Sequence, residues 1–234
     1  GLEDHWLQGL LEQAPPGTLH LKAADALQPA DCLKASAHKH GGGAQAPSPA
    51  HKHAHEEWDP HAWLDARLAA AMVQGLADPL GKVFPCLKER LGERTKGYIQ
   101  QLEDLHAQVK EQIAQVPAPR RKLFTYHHSM GYFARAYGLD YVGDALGSTQ
   151  SWAEPSAQHI VQTVRRLQAA GVPALFPEAG APLALMHELA HSAGIPLAGP
   201  LYVASLGDPQ DPQAPHTYLE LMRWNARVLQ EGLR

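Results

Sequence analysis

The chain has 234 residues, 44% of them hydrophobic and 19% charged, which is typical of a globular protein with one large domain or two small lobes. Its net charge of -4 argues against a nucleic acid as the main partner, because binding to phosphates requires a basic surface. No apolar stretch approaches the roughly 18 to 20 residues that a membrane-spanning helix needs.

The N-terminal segment begins with a short amphipathic pattern. Trp6, Leu7, Leu10 and Leu11 have the spacing of one buried helix face, and Pro15-Pro16-Gly17 ends the pattern. The chain opens without a methionine and shows no signal peptide, so we expect a processed, trimmed or incomplete product.

The cysteine count excludes two classes of protein. Cys32 and Cys86 are too few for a disulfide-dense secreted scaffold or for a Cys-rich zinc finger. One disulfide and two free thiols both stay open.

Histidine is unusually frequent in this chain, and several of the histidines lie in one tract. The fifteen histidines outnumber the four Phe, four Met and five Trp combined. Residues 36–57 are rich in Gly, Pro, Ala and His and lack a hydrophobic period, which predicts a mobile loop. Because alternating imidazoles can gather around one soft cation, we expect this tract to bind metal rather than to be an inert linker. The candidate ligands of the loop are His38, His40, His51, His53 and His55.

Two helices are predicted after the loop. Asp59 before Pro60 is typical of a helix N-cap, and the pattern predicts a helix from there through about Leu76, with His61 in its first turn. A longer pattern runs from about residue 87 to 116, where prolines end it. Such a helix is roughly 45 Å long, and we expect it to join two halves of the molecule.

The remainder of the chain alternates between strand and helix patterns. This alternation predicts βαβ units on a parallel sheet, where ligands gather at the carboxyl ends of the strands. The predicted strands are 122–126, 141–142, 173–176 and 195–197, and the predicted helices follow His128 through Tyr137 and cover 156–170, 183–193 and 216–233.

Two histidines at element ends form the first candidate metal site. His61 and His127 lie on either side of the long helix, and neutral imidazole is the commonest zinc donor. We expect both rings to converge on one cation in a cleft between the halves. His128 is interpreted as a neighbour or a supporting group. Glu178 follows a strand at the same sheet edge as His127, and it either supports a metal ligand or is a charge at a helix entry.

The segment His187-Glu188-Leu189-Ala190-His191 matches the zincin signature H-E-x-x-H, in which two histidines bind zinc and the glutamate activates water. The predicted helix is short, and no third ligand motif follows it. We therefore favour two exposed histidines on a surface helix, and a zinc metallohydrolase stays an alternative.

Several motifs in order resemble the zinc-binding solute-binding proteins of ABC metal transporters, the high-affinity zinc-uptake binding-protein family. The resemblance covers nearly the whole chain and rests on the His-rich loop, the long helix and the segments Asp59–Leu64, Thr125–Phe133, Tyr137–Leu139, Glu154–Ser156, Phe176–Glu178 and Thr217–Asn225. It implies an α/β fold in which two α/β lobes with parallel sheets are linked by a long rigid helix, with one metal in the interlobe cleft. The implied bounds are 1–86 for an incomplete N-terminal lobe, 87–117 for the linking helix and 118–234 for the C-terminal lobe.

The resemblance also implies a ligand set, from which this chain departs twice. It assigns His61 and His127 as metal ligands, and a histidine at the second position is associated with zinc, whereas manganese-preferring relatives usually carry a carboxylate there. The family's earlier segment, with a first ligand histidine, is missing here. Ala204 stands where the family usually has an aspartate ligand, and Asp208 substitutes for it only if the loop is rebuilt. Two of four ligands are therefore expected.

The function implied by the resemblance is transport without catalysis. We expect a zinc receptor of the periplasm, or one lipid-anchored at the bacterial cell surface, that captures Zn²⁺ and delivers it to the membrane permease of an ABC transporter. We expect it to be a monomer that binds no nucleic acid. A metal-buffering or adhesin-like protein is a further alternative besides the metallohydrolase.

Overall fold

The computed structural model describes residues 4–34, 58–147 and 156–234. The helices are α1 (Asp4–Glu12), α2 (Ala66–Val83), α3 (Lys88–Ala114), α4 (Gly131–Tyr137), α5 (Ala157–Ala170), α6 (Ala184–Ala193) and α7 (Tyr218–Leu233), and the strands are β1 (Lys122–Thr125) and β2 (Asp140–Asp144). Short 3₁₀ turns cover Ala23–Ala26, Ala62–Leu64, Pro85–Leu87 and Ala118–Arg120. No helix in the described part combines the length and apolar character needed to cross a membrane.

Helix α3 confirms the long helix predicted from the hydrophobic spacing. At 1.5 Å per residue its length is about 40 Å, and it packs against α2 and α7. Its buried residues Leu102, Leu105, Val109 and Ile113 recur every three or four positions, so that one face enters the main hydrophobic core. The same core includes Phe133 of α4 and much of α7.

A parallel sheet forms the centre of the C-terminal part. Strands β1 and β2 pair in parallel, and the register shifts between Leu123 and Phe124. Single parallel pairings extend the sheet from Thr125 to Phe176, from Leu175 to Leu197 and from Glu178 to Leu201. The segments predicted as strands at 173–176 and 195–197 therefore contribute single pairings rather than full strands.

The start of α2 differs from the prediction. Asp65, not Asp59, caps the helix, and its side chain accepts a hydrogen bond from the Arg67 backbone. The predicted cap fails because Asp59 directs its carboxylate to His61 two residues on. The helix also continues past the predicted end to Val83, with Pro79 inside it.

The N-terminal helix and the cysteines are placed as follows. Helix α1 confirms the predicted helix but not a buried face, since Leu10 is 57% exposed and Leu7 and Leu11 are only partly buried. Cys32 and Cys86 are free thiols, which decides the alternative that the sequence left open.

Candidate metal centre

His61 is fixed by the aspartate that precedes it. The imidazole lies just before the 3₁₀ turn Ala62–Leu64 and is only 5% exposed. Asp59 Oδ1 accepts a hydrogen bond from the His61 backbone N–H at 3.0 Å and lies 2.7 Å from the ring nitrogen Nδ1. A carboxylate at Nδ1 fixes the ring orientation and leaves Nε2 as the nitrogen that can coordinate a metal ion. This arrangement is usual for metal-binding histidines.

His127 has the equivalent support from Glu178. The imidazole follows β1, and its Nδ1 lies 2.5 Å from Glu178 Oε2. Glu178 Oε1 accepts hydrogen bonds from the His127 backbone N–H at 3.1 Å and from Ser129 Oγ at 3.2 Å. Both residues lie at the carboxyl edge of the sheet, because Glu178 follows the segment that pairs next to β1. The contact decides the role left open for Glu178: it orients the His127 ring.

The two Nε2 atoms face each other within hydrogen-bonding distance. His61 Nε2 and His127 Nε2 are 3.3 Å apart, although the residues are separated by 66 positions in the chain. Two nitrogens that each lie 2.0–2.1 Å from a tetrahedral zinc ion are about 3.3–3.4 Å apart. The structure thus brings the two predicted histidines together at a spacing that fits one zinc ion between them.

The surroundings of the pair are negatively charged. Asp59, Asp144 and Glu178 are all buried close to the imidazoles, and Asp59 Oδ2 has no hydrogen-bond partner in the described part of the chain. Burial by itself lowers the pKa of His127, but the hydrogen bond and charge of Glu178, helped by Asp144 and Asp59, raise it above its usual value. Buried carboxylates that stabilise a protonated imidazole also favour a bound cation.

His128 lies next to the pair and has contacts of its own. Its Nδ1 lies 3.6 Å from Asp144 Oδ2, and its ring meets Tyr141 edge to face at 4.9 Å between centroids. These contacts agree with its interpretation as a neighbour. Tyr141 donates a hydrogen bond to the His127 carbonyl oxygen at 3.2 Å, and burial raises the pKa of its hydroxyl well above the usual value. The sequence does not single out Tyr141, since nothing about a tyrosine in a strand indicates a hydrogen bond to the backbone of a candidate ligand.

Trp63 connects the centre to the loop that contains Ala204. Its ring lies 5.4 Å from the His61 ring, and its Nε1–H donates a hydrogen bond to the Val203 carbonyl oxygen at 3.0 Å. Ala204 comes next and is exposed, and its methyl group cannot bind a cation. The carboxylate of Asp208 instead accepts a hydrogen bond from the Gln210 backbone.

No other donor completes the centre within residues 4–34, 58–147 and 156–234, because no group of three or more His, Cys, Asp or Glu side chains there is arranged to hold a metal. His187 and His191 lie on α6 without a third ligand, and Glu188 accepts a hydrogen bond from Ser192 at 2.8 Å. Glu154 lies outside the described residues. So do the candidate ligands of the loop, which are His38, His40, His51, His53 and His55.

Comparison with known families identifies the group to which the chain is related. A family model described as "ZnuA: Zinc-uptake complex component A periplasmic" matches residues 1–232. The chain belongs to this family. The match confirms the resemblance that the sequence motifs indicated.

Curated relatives in this family are named for binding different metals. Zinc-binding protein TroA of Treponema pallidum is 31% identical over 157 residues, which are 65% of this chain and 50% of that protein. Manganese-binding lipoprotein MntA of Halalkalibacterium halodurans is 27% identical over 176 residues, 75% of this chain and 57% of that protein. Zinc-binding lipoprotein AdcA of Streptococcus pneumoniae is 28% identical over 177 residues, 76% of this chain and 34% of that protein. The chain thus spans about half the length of the first two and a third of the third.

Solved structures share the fold of the whole chain. The periplasmic zinc-binding protein TroA from Treponema pallidum superposes with a TM-score of 0.80 at 24% identity, covering 100% of this chain and 78% of that one. The Mn-bound periplasmic metal-binding protein from Candidatus Liberibacter asiaticus gives a TM-score of 0.78 at 19% identity, covering 100% and 77%. The predicted fold class, α/β lobes with parallel strands and a long linking helix, is confirmed.

Proposed function

We propose that the chain is the cation-capturing part of a zinc receptor, and that His61 and His127 are two of its metal ligands. The observation that carries the proposal is the 3.3 Å distance between the two Nε2 atoms, each opposite a Nδ1 held by a buried carboxylate. Such a pair is pre-oriented, so little ordering is needed when the ion arrives.

Zinc is the proposed metal, although relatives are named for both zinc and manganese. Both described donors are imidazole nitrogens, which suit zinc, whereas manganese favours carboxylate and other oxygen donors. The nearby carboxylates of Asp59 and Glu178 are engaged with the ring Nδ1 atoms, so they support the imidazoles rather than replace them.

Two described donors leave coordination positions for water or for imidazoles of the His-rich loop. The described residues on either side of residues 35–57 are close to the centre: Lys34 pairs with Trp58, and the Asp59 backbone N–H donates to the Leu33 carbonyl oxygen. Asp59 also holds the ring of His61. We propose that the loop collects zinc near the cleft, and its anchored base supports this role.

The family also supports a proposal for the partner and the compartment. We propose a monomeric receptor in the periplasm or lipid-anchored at the cell surface, supported by relatives named as periplasmic proteins or lipoproteins. It hands zinc to the membrane permease of an ABC transporter by capture and release, without catalysis and without nucleic acid. We propose lobes at residues 1–86 and 118–234 with a linking helix at 87–117, and the position of α3 supports this division.

Zinc titration by calorimetry tests the assignment with one matched control. His61→Ala and His127→Ala should each weaken the tightest binding event at least about 10-fold, since even the loss of a partner behind a ligand costs 10 to 100-fold. His191→Ala removes an exposed imidazole elsewhere and should leave that event unchanged. If His191→Ala weakens it and His127→Ala does not, the metallohydrolase is favoured and the receptor proposal fails.

A further inference from the structure

Helix α6 presents two histidines side by side on its outer face. Met186, Leu189 and Ala190 are buried in one hydrophobic cluster, which fixes the face that α6 turns inward. His187 and His191 are exposed. Residues four apart in a helix lie one above the other, with about 5–6 Å between their Cβ atoms. The two imidazoles can therefore reach one ion from a rigid support.

Both imidazoles are available for a ligand. Neither forms a hydrogen bond or an ion pair with another residue in the described part of the chain. Glu188, between them in sequence, is engaged with Ser192. His191 lies in the last turn of α6, which ends at Gly194 in a left-handed conformation. The carbonyl groups at a helix C-terminus carry partial negative charge, which favours a cation there.

We propose that His187 and His191 form a second, exchangeable site for a divalent transition metal, separate from the centre at His61 and His127. Two imidazoles hold the ion, and water fills the remaining positions. The site differs from a zincin centre because no third protein donor stands beside it in the described residues. An ion with open positions exchanges quickly, and affinities should follow the general order Cu²⁺ > Ni²⁺ and Cu²⁺ > Zn²⁺.

Zinc protection against acylation by diethyl pyrocarbonate, mapped on peptides of the full chain, tests the site at residue level. In the unmodified chain, His187 and His191 should gain protection together at the same zinc concentration. In His187→Ala, the concentration that protects His191 should rise at least about 10-fold, by analogy with the 10 to 100-fold cost of losing a ligand's partner. The readout is specific to α6, so other histidines do not obscure it.

A variant with the same number of histidines distinguishes one ion held by both rings from independent binding at each ring. His191→Ala combined with Ser192→His keeps the number of histidines but moves the second ring five positions from the first, off the shared face. His187 should then lose its zinc protection. The proposal is overturned if zinc protects His187 equally in this variant and in the unmodified chain. It is also overturned if His187 and His191 of the unmodified chain gain protection at different zinc concentrations. His127→Ala should leave the zinc protection of His187 and His191 unchanged. The test of this site is therefore independent of the centre at His61 and His127.

Discussion

At the scale of single residues, each imidazole of the centre has its own buried carboxylate. Asp59 and Glu178 hold the Nδ1 atoms of His61 and His127, and the two Nε2 atoms lie 3.3 Å apart. The orientation of both rings is therefore set by the protein itself. Affinity should depend on these acids nearly as much as on the imidazoles.

Substitution of Asp59 should separate positioning from stability. Asp59→Ala frees the His61 ring, so we expect zinc affinity to fall about 10 to 100-fold. Asp65→Ala is the matched control, because Asp65 is equally buried but caps α2 and does not touch His61. It should lower the free energy of unfolding by about 0.5–2 kcal/mol and leave zinc affinity unchanged. Calorimetry and denaturant unfolding measure the two effects, and equal zinc affinity in both variants would contradict the role of Asp59.

On acidification, zinc binding should begin to weaken at a higher pH than it would with an imidazole of ordinary pKa. The pKa of His127 is raised, because Glu178, Asp144 and Asp59 outweigh the effect of burial. As the pH falls through this raised pKa, the ring gains a proton and loses the lone pair that zinc needs. Glu178→Gln removes the main charge and should shift the midpoint to lower pH. An NMR titration of the metal-free chain measures it, and a His127 midpoint below that of a model imidazole would refute the prediction.

The sequence predicts that His61 and His127 come together, but not the contacts that orient their rings. His61 and His127 were predicted from their motifs and their positions at element ends. The pairing of Asp59 with His61 was missed because Asp before Pro fits a helix cap equally well. Only the folded chain shows that Asp65 takes the cap and releases Asp59 for the ring.

At the scale of elements, the long helix pattern and the strands β1 and β2 are predicted well, whereas the strands predicted at 173–176 and 195–197 are not. The spacing in α3 repeats over many turns, so its extent was predicted within a few residues. The segments around Leu175 and Leu197 are short apolar runs beside prolines, and each contributes only single pairings to the sheet. A proline has no N–H for the ladder, so the hydrogen bonding there depends on neighbours that the local pattern does not reveal.

The 3₁₀ turn that carries Trp63 should couple zinc binding to the rest of the fold. Trp63→Phe removes the hydrogen bond to Val203 and alters the contact with the His61 ring. We expect a loss of about 0.5–1.5 kcal/mol in unfolding free energy, together with weaker zinc binding. Trp224→Phe removes an equivalent indole hydrogen bond, to Pro200, and should cost similar stability without changing zinc affinity. If the two variants bind zinc alike, Trp63 only stabilises the fold.

At the scale of the whole molecule, the long helix and the sheet edge bring distant parts of the chain to one place. Helix α3 packs against both α2 and α7, while His61 precedes α2 and His127 follows β1. The fold thus brings the two imidazoles together, with their Nε2 atoms 3.3 Å apart. The fold class could be anticipated from the alternation of strand and helix patterns and from the resemblance that the ordered motifs carry. The meeting of the two rings was expected because both histidines lie at element ends.

The most direct test is an anomalous-difference map at the zinc edge from crystals of the chain grown with zinc. The strongest peak should lie about 2.0–2.1 Å from Nε2 of both His61 and His127, with Asp59 and Glu178 on the opposite ring nitrogens. A strongest peak elsewhere, with these two imidazoles bound to no ion, would contradict it.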